Sequence, residues 1–389
     1  MANKSERIAG LDLVRAIAVL SVVGAHSFTI LSPLFTLPYI GRALSFMGDH
    51  IRPFAGLGVE LFFALSGFLI GNILIRIFVQ ADDFSFTHVK QFWIRRWFRT
   101  LPNYWLLLIV NLILYAILHL QPVVLKQVLY FFFLQNLIHP VPLDFFIESW
   151  SLSVEEWFYL TLPIAIYISS RFFTIKNKGR FLLKVFIGYL IVFLIIRCIN
   201  APNPINGPDQ DEGIRKVVLF RLDAVMYGVL LAWLNTFKSE ALYRFRKRLL
   251  AISIVGSAVL YFLVSKRSLQ ISNSDIPAVR FASNAFLFVL QPMFLALCLP
   301  YANSIKTFAS LLFQRAASFI SRISYSLYLV HYSLIFLPFF FPLRLTSPWA
   351  AIGMYLLYWM IVIGLSSAIY KYFEYPIMNR RDKVKTGKR

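Results

Sequence analysis

The chain has 389 residues, of which 59% are hydrophobic, 17% aromatic and only 15% charged. Apolar blocks of roughly 17–25 residues recur between basic clusters, the pattern of bilayer-spanning helices, and this excludes a barrel, whose strands alternate over about 10 residues. The net charge of +21 sits mainly in short loops, where it sets membrane orientation, so no nucleic-acid partner is expected.

In chain order, MANKSER (1–7) is a charged start that a signal peptide shares. Asp12 and Arg15 inside the following apolar block point to an uncleaved first span. Ten spans are expected, at roughly 11–31, 57–78, 101–120, 150–170, 181–199, 217–235, 249–264, 279–300, 319–340 and 349–372. The short apolar segment 123–138 is read as re-entrant or interfacial, because counting it as a span moves the later basic loops outside. With the N-terminus inside, 27 of the 39 Lys and Arg residues fall on inner segments. The positive-inside bias therefore predicts an all-α, polytopic bundle with both termini cytoplasmic, a membrane domain over 1–376 and a basic tail over 377–389. Cys198 and Cys298 lie within apolar spans, so neither a disulfide framework nor a metal-thiolate cluster is expected.

The informative residues are charges where lipid should be. A charged side chain at mid-bilayer costs about 2.5–3.5 kcal/mol on insertion scales, so each one needs a partner, a watered cavity or a function. In GLDLVRAIAVLSVVGAH (10–26), Arg15 and His26 are eleven residues apart, which returns a helix to nearly the same face roughly 16 Å further along. The two can line one cavity at different depths; a snorkelling arginine and a core histidine are the structural alternative.

GVELFFALSGFLIG (58–71) places Glu60 near the outer end of the second span and Ser66 and Gly67 in its middle, where small residues ordinarily serve helix packing. RRWFRTLP (95–102) puts Arg95, Arg96 and Arg99 at the inner start of the third span. They are either orientation signals or a set of guanidinium forks suited to phosphate. SWSLSVEEWFYLTLP (149–163) opens the fourth span with Glu155 and Glu156. FRLDAVMYG (220–228) brings Arg221 and Asp223 into the sixth, two residues apart and so aimed at different neighbours; ion pairs to other helices are the plainer reading. SRISYSLYLVHYSL (321–334) carries His331 mid-span, read as a satisfied core histidine, and Glu374 of EYP (374–376) is expected to anchor the last span.

Taken together these blocks resemble the acyltransferase-3 family of integral-membrane acyltransferases, in the same order and over nearly the whole chain. The matching features are Arg15-x10-His26, Phe63-x-x-Ser66-Gly67-x-x-Ile70, Arg96-x-x-Arg99 before Leu101-Pro102, WSLSVEEWFYL, RLDAVMYG and ISYSLYLVH. The resemblance implies a ten-span protein of the bacterial inner membrane that takes an acyl group, commonly acetyl, from cytoplasmic acyl-CoA and places it on a hydroxyl, commonly of a cell-surface carbohydrate or lipid-linked glycan. Many relatives add an extracytoplasmic hydrolase-like domain after the spans; this sequence ends at Arg389 without one. On this reading His26 is the general base, Arg15 and Glu155 complete the catalytic set, and Arg95, Arg96, Arg99 and Ser66 hold acetyl-CoA. Glu60, Glu156, Arg221 and Asp223 bind the acceptor, and no metal takes part. Two rival classes remain open: a proton-coupled transporter using the same charges, and a scaffold, which needs no charged cavity.

Overall fold

A computed structural model of the chain describes residues 7–39, 41–119, 125–142, 144–201, 211–272 and 276–384. Lys4, Asp209, the first two positions of segment 123–138 and the end of the basic tail, 385–389, lie outside the described residues. Among the described residues every regular element is helical. The long ones are α1 (Ala9–Ser27), α2 (Gly41–Gln80) and α3 (Phe86–His119). A single turn, α4 (Leu125–Val128), separates these from α5 (Ser149–Phe172), α6 (Lys178–Asn200) and α7 (Leu222–Phe237). Then follow α8 (Ser239–Ser272), α9 (Pro277–Ala296), short α10 (Leu299–Ser304), α11 (Leu311–Val330), α12 (Pro348–Ile369) and α13 (Tyr375–Val384). This is the all-α bundle expected from the apolar blocks.

Among the described residues, seven helical stretches are long and apolar enough to cross a membrane. Their outer faces fit that solvent: Ile187, Ile191, Ile195 and Ile199 form an exposed row along α6, and Ile109, Ile113 and Ile117 another along α3. Rows spaced by four residues lie on one helix face, and apolar stripes of this length belong against lipid chains. The protein is an integral membrane protein turned polar side inward: Asn103, Glu148, Arg197 and Arg221 are all buried. α7 is shorter than the seven, and α5 begins with Ser149, Ser151, Ser153, Glu155 and Glu156, which dilute its apolar character.

The closest helix contact joins α2 and α7. A Cβ on Gly67 would stand 1.9 Å from the Val225 carbonyl oxygen, and one on Gly228 2.0 Å from that of Ala64. Gly67 and Gly71 make a G-x-x-x-G face, which lets two backbones touch and gain dispersion energy where lipid offers no hydrophobic drive. Residues 125–138 do not form a membrane-length helix. The segment runs from α4 into a four-residue 3₁₀ turn (Leu129–Phe132) and then an irregular chain. Its carbonyls are satisfied by side chains: Tyr104 donates to Tyr130, Trp105 to Phe131 and Trp157 to Phe133. Irregular backbone at membrane depth is tolerated only when buried in protein in this way.

Two helices extend ahead of their expected spans: α2 begins at Gly41, though its membrane-length apolar stretch starts at Ala55, close to the expected 57, and α3 begins at Phe86, ahead of the expected 101. The arginines of RRWFR lower the hydropathy of the first turns of α3 without breaking the helix, so the apolar window began too late. Arg96 therefore lies within α3 rather than at its first turn. At the other end of the chain, α11 and α12 continue as π-helices, His331–Phe340 and Tyr370–Glu374. Glu374 accepts hydrogen bonds from Asn103 and Ser326, tying the end of α12 to α3 and α11. α13 runs across the expected tail boundary at 377.

Candidate active site

Helices α1, α2, α3, α5 and α11 enclose a cleft of about 870 Å³, counting the space open at its mouth. Arg15, Ser66, Arg96, Arg99, Glu155 and Tyr328 lie on its walls among apolar residues such as Phe62, Leu69 and Ile73. Helical periodicity explains the selection. Arg96, Arg99 and Thr100 share one face of α3, Ser151 and Glu155 one face of α5, and Phe62, Ser66, Leu69 and Ile73 one face of α2. Arg95, a hundred degrees away from Arg96, is half-buried and is not among the lining residues.

At the cleft wall, four side chains from three helices form one polar knot. The Arg96 Nη2 donates to the Tyr159 hydroxyl at 2.6 Å, and its guanidinium centre lies 4.1 Å from the centroid of that ring. The Tyr159 hydroxyl donates to Glu155 Oε2 at 2.8 Å and also meets Ser66 Oγ. Arg96 and Glu155 stand 3.6 Å apart. Ser66 and its neighbour Gly67 thus part company: the glycine packs against α7 and the serine faces the cleft.

Arg15 is held from the side. Its Nη1 donates to Ser321 Oγ at 3.3 Å, and Ser321 donates to Asp12 Oδ1 at 2.8 Å. Asp12 also takes Ser318 and both arms of Arg7. The Asp12 carboxylate is engaged by Arg7 and two hydroxyls, and the guanidinium of Arg15, bonded to a single hydroxyl among the described residues, takes a place in the cleft wall. Arg15, Arg96 and Arg99 against Glu155 give the cleft a net positive lining, and charge in a recess with apolar walls acts more strongly than in bulk water.

His26 lies beyond the cleft, past Tyr328. Its Nδ1 is 2.9 Å from Nε2 of His331, and the Tyr332 ring sits against it with centroids 4.4 Å apart. Nδ1 of His331 is 2.7 Å from the Tyr328 carbonyl oxygen. Tyr328 links the two regions, since its side chain lines the cleft and its backbone meets the histidine pair.

The remaining expected site residues are placed elsewhere. Glu60 and Arg221 bind each other with both side chains fully buried, and Arg221 Nη1 donates to the Phe288 carbonyl. Asp223 pairs with Arg197, which also donates to the carbonyls of Phe220 and Ala285. Arg221 and Asp223 do reach different helices, α2 and α6, as their spacing requires. Glu156 is buried next to Glu155, and its Oε2 has no hydrogen-bond partner among the described residues.

Three participants escaped the sequence reading. Tyr159 sits four residues after Glu155, a spacing that foretells a shared face. Arg197 lies deep in the apolar run that follows Lys184 in α6, a signal of the same kind as Arg221. His331 is buried and hydrogen-bonded, as a satisfied core histidine should be, but nothing local foretells its pairing with His26, 305 residues away.

With this geometry in view, comparison with known proteins gives the class. The family model described as "Acyltransferase domain" matches residues 8–371, and the chain belongs to that acyltransferase-3 family. It is 25% identical over 348 residues to the O-acetyltransferase OatA of Staphylococcus aureus (strain NCTC 8325 / PS 47), covering 84% of this chain and 53% of that protein. Over 199 residues it is 30% identical to the peptidoglycan O-acetyltransferase OatA of Listeria monocytogenes serovar 1/2a, covering 46% of this chain and 27% of the relative. The chain thus spans about half the length, or less, of these curated relatives. No solved structure matches it.

Proposed function

We propose that the protein is a membrane-embedded O-acyltransferase that moves an acetyl group from cytoplasmic acetyl-CoA to a hydroxyl of a cell-wall or exported glycan, with His26 as general base. The observation that carries this reading is the joining of two chemistries by one residue, Tyr328: a cleft lined by Arg15, Arg96 and Arg99, and a histidine pair behind it. Acyl-CoA is a polyanion on a long flexible arm. The guanidinium forks suit its phosphates, and the apolar walls of the cleft suit the arm. The names of the relatives, O-acetyltransferases with peptidoglycan as one acceptor, favour acetyl as the group and a glycan as the acceptor.

In this mechanism His26 takes the proton of the acceptor hydroxyl as its oxygen attacks the thioester carbonyl. The C–S bond then breaks, and the imidazolium returns the proton to the leaving thiolate, so the products are an ester and free CoA. A base positioned in this way contributes about 10²–10⁴-fold. Glu155 works through the Tyr159 hydroxyl, holding Arg96 at the cleft wall. Arg15 binds the donor. Arg95, outside the lining, attracts the donor at longer range. Glu60, Arg221 and Asp223, closed in buried pairs, form the frame around the site. The ten-span arrangement with cytoplasmic termini in the bacterial cytoplasmic membrane puts the arginine cleft on the side where CoA is found.

The test is purified protein with labelled acetyl-CoA and glycan fragments. Label should appear as an alkali-labile ester on the glycan, and Arg15→Ala and Arg96→Ala should each raise the apparent KM for acetyl-CoA by about tenfold, the effect of losing roughly 1.4 kcal/mol of binding. A proton-coupled transporter would instead carry a solute across vesicles without consuming acetyl-CoA, and that result would reject the enzyme.

A further inference from the structure

We propose that His331 is a positioning residue that sets which nitrogen of His26 carries the proton, an inference that rests on the acyl-transfer reading above. The argument starts from a group whose role is not negotiable. The Tyr328 carbonyl oxygen can only accept, so Nδ1 of His331, 2.7 Å away, donates to it. A neutral imidazole has one N–H, and the Nε2 of His331 is therefore a lone pair. That lone pair faces Nδ1 of His26 at 2.9 Å, and two lone pairs at this distance would repel. Nδ1 of His26 must carry the hydrogen, which leaves its Nε2 as the basic nitrogen.

The ring geometry agrees. The two imidazole planes differ by 10° and their centroids stand 5.2 Å apart. With the nitrogens at 2.9 Å, the rings meet edge to edge, and the N–H points along the plane of the acceptor ring as a hydrogen bond requires.

Both ends of this relay are anchored. The Tyr328 hydroxyl donates to the Glu148 carbonyl at 3.0 Å and meets Ser151 Oγ at 2.6 Å. The backbone carbonyl of His331 accepts from Tyr358 at 3.1 Å, and Ser333, two residues on, binds the Glu148 carboxylate through its N–H and hydroxyl. The π-helix begins at His331, where the change in winding re-aims side chains relative to the α-helix before it. When His26 takes the acceptor's proton its Nδ1–H stays bonded to His331, so the relay holds the ring in one orientation and supports the imidazolium that forms. The arrangement generalises the orienting third group of hydrolytic triads, with an imidazole in place of the usual carboxylate.

The experiment compares His331→Leu, His331→Gln and His26→Ala by kcat, donor KM and thermal stability. Leucine fills space and offers no lone pair. Glutamine offers an amide oxygen to His26 and an amide N–H to Tyr328. His331→Leu should lose about 10–100-fold in kcat, the usual cost of removing an orienting partner, with donor KM unchanged. His331→Gln should recover most of that loss. Parental kcat in His331→Leu, or equal losses in the leucine and glutamine variants, would overturn the inference while leaving the base intact. Parental turnover in His26→Ala would instead reject the acyl-transfer reading itself. Should the leucine variant fail to fold, ¹⁵N spectra of histidine-labelled parent protein decide the matter: the ring signals lost in His26→Ala should belong to the Nδ1–H tautomer, and an Nε2–H assignment would overturn the proposal.

Discussion

Glu60 and Arg221 show what single residues contribute when both are removed from water. Taking either charge out of solvent costs several kcal/mol, and each is compensated chiefly by the other and, for Arg221, by the Phe288 carbonyl and ring. Glu60→Ala should therefore lower stability by about 3–5 kcal/mol, because it strands a buried guanidinium, whereas Glu60→Leu with Arg221→Met should restore much of it. Thermal unfolding in detergent reads the difference. A double variant that is stable but has lost acceptor binding would return this pair to the substrate. The spacing of Arg221 and Asp223 made their divergence legible in the sequence. Their partners were not legible, because Glu60 is 161 residues from Arg221, and Arg197 was hidden in an apolar helix.

At the scale of elements, the α2–α7 contact is the joint on which the cleft depends, since Ser66 faces the cleft one residue from the glycine that touches α7. Gly228→Ala would place a Cβ 2.0 Å from the Ala64 carbonyl and 2.6 Å from the Phe68 nitrogen, both backbone atoms that cannot swing aside. The helices must separate, at a cost of about 1–3 kcal/mol. Gly188→Ala on α6 meets nothing within 4 Å and removes a flexible residue from a helix, so it should be neutral or slightly stabilising. Equal thermal stability of the two variants would contradict the close packing. The helices themselves could be read from apolar length, and segment 123–138 from its shortness. The start of α3 could not, because hydropathy treats arginine as a break while helix propensity does not. The longer α3 brings Arg96 against Tyr159 and Glu155.

At the scale of the whole molecule, the proposed mechanism gives α1 two tasks, donor binding at Arg15 and proton transfer at His26. Their eleven-residue spacing suggests one shared cavity, but only Arg15 lines the cleft; His26 lies outside its lining, with Tyr328 between the cleft and the histidine pair. The division of tasks requires an orientation. Cysteines at Asp144 should be labelled from outside intact cells, and those at Asn177 and Ser239 only after permeabilisation; labelling of Asn177 from outside would reverse or break the ten-span topology. The central claim, that the proton leaves the acceptor on His26, is tested most directly by the single-turnover rate of acetyl transfer in His26→Ala under saturating labelled acetyl-CoA. Donor binding and expression should remain at parental levels while the transfer rate falls by at least about 10²-fold, the lower bound for deleting a positioned base. Transfer at the parental rate, with the donor bound, would contradict it.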